Sequence, residues 1–317
     1  MNATSRKFIG NNLGVRAMLV GMGIGDALGA AFEMVPYRTL STLGDVDILE
    51  DYREGVVGSL LEGHQPGAPT DDTAMTISVG RTLIASDGAA RRDDFVRGFQ
   101  RDLVTGNDDV TKWFAKGGPG AATMRALQTC AEGQYMRGAD VTDTPGYSQA
   151  GGNGTIMRVA PVAALANPAE VVRVAREQAE ATHGHPSAVA AAEEVAIRLH
   201  RLLRGLPLPG EPITNDFMLM KAWRERVGKG EKPLRDIPKS AWETAAGAWG
   251  ICVHLNWDPS RILGFAATSG GDTDTMAAVA GAFVGARVGD MRALPGALLH
   301  GLISREVLVD LADRLTK

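Results

Sequence analysis

The chain has 317 residues, 44% of them hydrophobic, enough to bury a substantial core. Its net charge of −4, from 33 basic and 37 acidic residues, argues against a nucleic-acid surface, which needs a basic patch; backbone N–H groups can still hold a small anion. Two cysteines, Cys130 and Cys252, argue against a disulfide framework and fit a reducing cytoplasm.

The first 21 residues carry a few basic side chains but no long apolar run of the leader type, so neither a secretory signal nor a membrane span is expected. Apolar residues then recur at helical spacing over 14–31, 74–85, 93–103, 120–132, 156–165, 169–182, 187–203, 240–254, 276–286 and 304–315. Gly- and Pro-rich loops such as GHQPGAP, KGGPG and SQAGGNG join them, and no run alternates with the period of a strand. The 39 glycines and many alanines would let helices pack closely. Residues 204–238 are the most polar and Pro-rich stretch and read as a connector, with a helix predicted at 215–227. Apolar positions continue on both sides of it, and the candidate site draws on both sides, so one all-α domain over 1–317 is expected. No repeat of 20–50 residues is present.

Three acidic constellations carry the chemistry. Thr70-Asp71-Asp72-Thr73 stands directly before one apolar helix, and Gly270-Gly271-Asp272-Thr273-Asp274-Thr275 before another. One reading is helix capping, since Thr and Asp at a helix start satisfy free N–H groups and suit the dipole. The other is metal ligation. Capping needs one such side chain, whereas each run has two carboxylates, which repel unless something positive holds them. An all-oxygen donor set suits Mg²⁺ or Mn²⁺ rather than zinc, and adjacent aspartates can reach different ions of a pair. The third constellation is Asp26, set between glycines in an apolar helix, with Glu33 seven residues on. An acid at Asp26 is costly unless paired or hydrogen-bonded, and it reads either as part of the site or as a structural cap.

His183 and His185 could be zinc ligands, but their spacing in a loop is weak support for that. His200, His254 and His300 read as ordinary helix residues, and Trp223, Trp242, Trp249 and Trp257 as core rather than a ligand cage.

Taken together, GDALGAAFE, TDDTAM and GGDTDTMAAVAGAFVGA resemble signature blocks of the ADP-ribosylglycohydrolases. Two further blocks agree in the same order: GGNGTIMRVAPVAAL at 151–165 and THGHP at 182–186. The resemblance runs from near residue 14 to near residue 287. It implies a compact orthogonal helical bundle with two Mg²⁺ or Mn²⁺ ions at the base of a cleft. It implies Thr70, Asp71, Asp72, Asp272, Asp274 and Thr275 as metal ligands and Glu33 and Asp26 as candidate catalytic acids. It also implies an ADP-ribose site at Gly118, Gly120, Thr123, Gly152, Asn153, Gly154 and His183. Gly-rich turns ahead of helices suit anions, although each loop by itself also reads as a tight turn. One departure is visible: nitrogenase-regulating members carry an acid in the stretch aligned with 117–123, which here reads GGPGAAT and leaves Glu33 as the acidic candidate.

The implied activity is hydrolysis of the bond between ADP-ribose and a modified protein side chain, arginine first, with no organic cofactor. The expected partners are the ADP-ribosylated protein and ADP-ribose, and the expected state is a cytoplasmic monomer. Alternatives are a catalytically silent ADP-ribose binder, a hydrolase of another ADP-ribosyl conjugate (serine, nucleobase or O-acetyl), and a two-metal phosphoesterase on a different helical fold.

Overall fold

A computed structural model describes residues 7–43, 49–104, 118–131, 140–207 and 239–317. Among these residues the protein is all helical, and its extended contacts are the isolated bridges Phe8↔Leu165 and Gly152↔Ser240.

Two helices form the centre. α1 (Asn12–Gly29) opens on Asn11, whose side chain accepts from the Gly14 N–H, and tightens into a 3₁₀ turn at Ala30–Phe32. α10 (Thr273–Val288) ends on Gly289 in the left-handed region, at φ 71°. Both are apolar all round and nearly every residue is buried, as expected for core helices. The stretch Asn12–Phe32 is long and apolar enough to cross a membrane, with mean hydropathy 1.4, but 94% of that window is buried inside the protein.

Small residues set how closely the two helices approach. A Cβ at Gly21 would lie 2.4 Å from the Gly281 carbonyl oxygen, one at Gly25 1.9 Å from that of Ala277, and one at Gly29 2.3 Å from that of Thr273. As the residue number rises along α1 it falls along α10, so the helices run antiparallel. Backbone therefore packs on backbone, and the C-terminal end of α1 meets the N-terminal end of α10. This seam joins the Asp26–Glu33 segment to the Asp272–Thr275 run.

The remaining helices surround this pair: α2 (Tyr37–Leu40), α3 (Asp71–Ala85), α4 (Arg92–Phe99, passing into a π turn at Gln100–Val104), α5 (Ala121–Ala131), α6 (Pro168–Glu180), α7 (Pro186–Leu203), α8 (Ala241–His254), α9 (Pro259–Ala267), α11 (Gly296–Gly301) and α12 (Arg305–Arg314). Most match the sequence reading to within a few residues. The helix expected at 156–165 is instead a 3₁₀ turn, Ala160–Ala164, with Pro161 at its start removing a backbone donor. α9 was missed, although Asp258-Pro259 is a cap followed by a first-turn proline, and Asp258 does accept from the Arg261 N–H. The helix expected at 215–227, with Trp223 and most of the connector, lies outside the described residues.

Trp249 is in the core as expected, edge-on to Trp257 at 5.4 Å and to Phe283 at 5.2 Å. Cys252 is a buried free thiol.

Candidate functional site

Asp26 is where the site begins. It is fully buried near the end of α1, and its carboxylate accepts four hydrogen bonds: from the Thr70 N–H at 3.0 Å, the Thr70 hydroxyl at 2.7 Å, the Thr73 N–H at 3.1 Å and the Thr73 hydroxyl. Burial raises its pKa, and the Thr73 and Thr70 bonds work against that rise. The carboxylate thus clasps the first turn of α3 to α1. Its oxygens are filled and it is not among the residues lining the cleft, as expected of a structural cap, which is one of the two readings the sequence offers for Asp26. It positions the acidic pair that follows Thr70.

Thr70 occupies the N-cap of α3 and accepts from the Asp72 N–H at 3.2 Å. With its proton given to Asp26, its oxygen has one lone pair left. The second acidic run behaves differently. Asp272 stands at the N-cap of α10 but makes no side-chain bond to the helix end. Its Oδ2 instead accepts from Asn153 Nδ2 at 3.0 Å and lies 3.5 Å from the Lys239 ammonium.

These elements open on one cleft. Glu33, Asp71, Asp72, Asp272, Asp274 and Thr275 line it together with Gly118, Gly120, Thr123, Gly152, Asn153, Gly154 and His183. Every candidate residue but Asp26 and Thr70 therefore shares one wall or floor, and those two sit just beneath. The cleft's volume is about 290 Å³, at the small end for ligand pockets. Gly117 lies outside the described residues.

Glu33, Asp272 and Asp274 bring carboxylate oxygens within 4.8 Å of one another. Sequence reasoning had set Glu33 apart as a catalytic acid; the geometry puts it inside the carboxylate cluster, at the point where the chain leaves the 3₁₀ turn. Met34 follows at φ 63°, anchored by its N–H to the Gly271 carbonyl at 2.7 Å. The Thr275 hydroxyl donates to Asp72 Oδ1 at 3.5 Å, whereas the buried Asp72 Oδ2 has no hydrogen-bond partner among the described residues.

The electrostatics agree with crowding. Burial first, then Asp26, Glu33 and Asp272, push Asp71 up to about 7. Asp72 and Asp274 are held well above the carboxylate range, again by burial first and then by neighbouring acids. Glu33 is raised by burial, with Lys239 opposing. Lys239 is the cation that sequence reasoning missed. Its Nζ donates to Glu33 Oε1 at 3.1 Å, and although burial lowers its pKa, Asp272 and Glu33 more than offset this. Its only signal was a position just before the Ser240 helix cap, at the edge of the connector.

The glycine loop is held by this same segment: the Asn153 N–H donates to the Lys239 carbonyl at 3.0 Å and the Ala241 N–H to that of Gly151 at 3.1 Å. His183 Nε2 lies beside the loop, 3.5 Å from where a Gly152 Cβ would stand and 3.4 Å from a Gly154 Cβ. Burial first, and then Arg158, lower the His183 pKa to about 3. His185 does not join it as a ligand pair: its ring caps α7, accepting from the Ser187 N–H at 3.2 Å.

Comparisons with known proteins bear on the family. The ADP-ribosylglycohydrolase family model matches residues 13–317. The chain is 28% identical over 283 residues to the ADP-ribosyl-[dinitrogen reductase] glycohydrolase of Rhodospirillum rubrum, covering 85% of this chain and 84% of that protein. It is 24% identical over 325 residues to the ADP-ribosylarginine hydrolase Tri1 of Serratia proteamaculans, covering 95% and 78%. A solved structure described as an ADP-ribosylglycohydrolase-related protein complex superposes with a TM-score of 0.68 at 26% identity, over 97% of this chain and 98% of that one. The ordered sequence blocks, the helical fold and a family match reaching nearly end to end place this chain in the ADP-ribosylglycohydrolase family.

Proposed function

We propose that this protein is a divalent-cation-dependent hydrolase that cleaves the glycosidic bond between ADP-ribose and a modified protein side chain, reversing mono-ADP-ribosylation. The observation that carries this reading is the meeting of a buried carboxylate cluster with a glycine-rich loop and a histidine in one cleft.

The residues present fit a cation site. Among the described residues the donors are all oxygen, Asp72 Oδ2 is buried without a partner, and five crowded acids line the cleft with one ammonium. Thr70, Asp71, Asp72, Asp272, Asp274 and Thr275 would hold the ions, with Glu33 at their edge. Bound there, Mg²⁺ or Mn²⁺ supplies Lewis-acid polarisation and lowers the pKa of water. The rest falls to the chain itself. Asn153 orients Asp272 by its hydrogen bond. Glycosidic cleavage passes through an oxocarbenium-like state, which the carboxylate cluster stabilises. Glu33, held by Lys239 and raised in pKa, moves a proton to the leaving group or from the attacking water. Backbone N–H groups of Gly118–Thr123, Gly152 and Gly154 face the anionic part of the ligand, while that of Asn153 is taken by the Lys239 carbonyl.

ADP-ribosyl-arginine is the first substrate to test, since one relative is named an ADP-ribosylarginine hydrolase and another an ADP-ribosyl-protein glycohydrolase. The lack of an acid in 118–123 favours a second reading, in which the linkage is serine, nucleobase or O-acetyl. A turnover panel of defined ADP-ribosyl conjugates separates these. Free ADP-ribose is the expected product; AMP or phosphate would make the protein an esterase, and no turnover with tight ADP-ribose binding would make it a silent binder.

A further inference from the structure

Arg158 is a fully buried arginine that the cleft chemistry leaves unused, and among the described residues it makes no ion pair, whereas the other fully buried arginine, Arg198, pairs with Glu194. Its guanidinium lies 4.5 Å from the centre of the Phe99 ring. Nε donates to Gln178 Oε1 at 2.8 Å, and Nη2 donates to the Gln178 carbonyl and to Thr182 Oγ1, both at 2.8 Å. Gln178 cannot reverse, because its own Nε2 donates to the Thr155 and Ala175 carbonyls at 2.9 and 3.1 Å. Thr182 Oγ1 then lies 2.7 Å from His183 Nδ1.

The donor count fixes the direction of this chain. Arginine can only donate, so the Thr182 oxygen accepts from it. A threonine hydroxyl has one proton and two lone pairs, and if its oxygen accepted from His183 Nδ1 as well, its buried proton would have no acceptor among the described residues. Thr182 therefore donates to Nδ1, and the ring proton sits on Nε2, beside Gly152 and Gly154 in the cleft.

We infer that Arg158 and Thr182 are positioning residues that lock neutral His183 in its Nε2–H tautomer, making it a fixed hydrogen-bond donor to an acceptor oxygen, of hydroxyl or phosphate type, on the bound ligand. The identity of that ligand as ADP-ribose rests on the proposed function; the tautomer does not. On this assignment His183 takes no proton during the reaction. The surroundings agree: burial first, and then the buried Arg158 charge, disfavour a positive charge on the ring. A neutral histidine in another protein environment holds its tautomer by the same rule: the partner of one ring nitrogen sets the state of the other.

The test is long-range ¹H–¹⁵N correlation on protein labelled with ¹⁵N-histidine, with His183→Gln identifying the signal. The wild type should show a pyridine-like Nδ1 and a pyrrole-like, protonated Nε2. Thr182→Val keeps the side-chain shape and leaves Arg158 its Gln178 carbonyl, so the fold should hold; both shifts should move toward the average of two tautomers, and Thr182→Ser should restore them. Calorimetry with ADP-ribose should give binding weakened about three- to tenfold in Thr182→Val, the scale of one hydrogen bond, and recovered in Thr182→Ser. A protonated Nδ1 in the wild type, or Thr182→Val shifts identical to wild type, overturns the relay. A wild-type Nε2–H that ADP-ribose leaves unmoved, with the tautomer as assigned, instead overturns the ADP-ribose reading of the cleft.

Discussion

The two acidic runs look alike in sequence and are used differently. Both combine Thr with paired Asp, and both stand before a buried helix. At α3 the run closes on itself: Thr70 caps the helix and hands its proton to Asp26, so the first turn is fastened to α1. At α10 the acid at the cap position makes no bond to the helix end, where Asp274 accepts from the Thr275 N–H at 2.9 Å, and turns instead to Asn153 and Lys239. Forgoing a cap costs about 1 kcal/mol. A side chain that gives up that stabilisation while crowding against Glu33 and Asp274 is placed for something other than the helix. The first run thus serves fold and cleft together, and the second serves the cleft at some cost to the fold.

The largest effect should come from the second run. Asp272→Ala should drop turnover of an ADP-ribosyl conjugate below detection while leaving helicity and melting temperature unchanged or slightly improved. Chelation should do the same, reversed by Mg²⁺ or Mn²⁺ and poorly by Ca²⁺, which prefers longer bonds and more ligands. Near-native turnover in the variant, or full activity in a verified metal-free preparation, would show that the uncapped acid has no such task.

Glu33 tests whether the cluster also moves protons. Glu33→Gln keeps the side chain's size and its reach to Lys239 but cannot exchange a proton, and turnover should fall by about 10²–10⁴. Affinity for ADP-ribose should change little. A fall in melting temperature with intact turnover per folded molecule would assign Glu33 to structure.

Asp26 belongs to the first run's role. Asp26→Asn keeps one acceptor oxygen but puts an NH₂ group where the other carboxylate oxygen accepted, so the donors facing that side lose their acceptor, which should cost about 1–3 kcal/mol in chemical denaturation. Activity should fall with it, because Asp71 and Asp72 lose their anchor. Unchanged stability would mean that the clasp between α1 and α3 does not hold the fold.

Crowding gives a prediction with a sign. Asp71 is raised to about 7 from an ordinary value of 3.8, and Asp26, Glu33, Asp72 and Asp274 move the same way. Between those limits the folded chain binds more protons than the unfolded one, so chelated protein should lose stability as pH rises from about 4 to 7. Adding Mg²⁺ or Mn²⁺ should flatten that slope. A metal-free melting temperature that climbs across this window would contradict the crowding.

Much of this was legible before any coordinates. Apolar periodicity placed most helices, and the acidic runs before 74–85 and 276–286 marked the cleft. The small-residue content anticipated close packing, realised at Gly21, Gly25 and Gly29 against α10. What could not be read was which cap-position residue bonds its helix end and which does not, because Thr70 and Asp272 occupy equivalent positions in their motifs and their other partners are distant in sequence. Lys239 escaped for the same reason: Glu33 is 206 residues away. Arg158 was quoted within a block but gave no sign of being buried beside Thr182. Local pattern reports the helix a residue sits on; the partner across the cleft is set by packing.

The smallest effect separates the two halves of Thr70's role. Thr70→Ala removes the cap on α3 and one donor to Asp26, but the Thr70 N–H bond to Asp26 survives. A lost cap costs about 0.5–2 kcal/mol. Asp26 still has its other backbone and Thr73 partners, so the second loss adds little, and a total near 1 kcal/mol is expected from denaturant melts. Thr70→Ser keeps the hydroxyl and should recover nearly all of it. Turnover divides the readings further. If the oxygen's remaining lone pair meets a cation, Thr70→Ala should raise the Mg²⁺ or Mn²⁺ concentration needed for half-maximal activity, and Thr70→Ser should not. If Thr70 is a cap and nothing more, stability falls in Thr70→Ala and the metal titration stays where it was, which would leave the first run with two ligands rather than three.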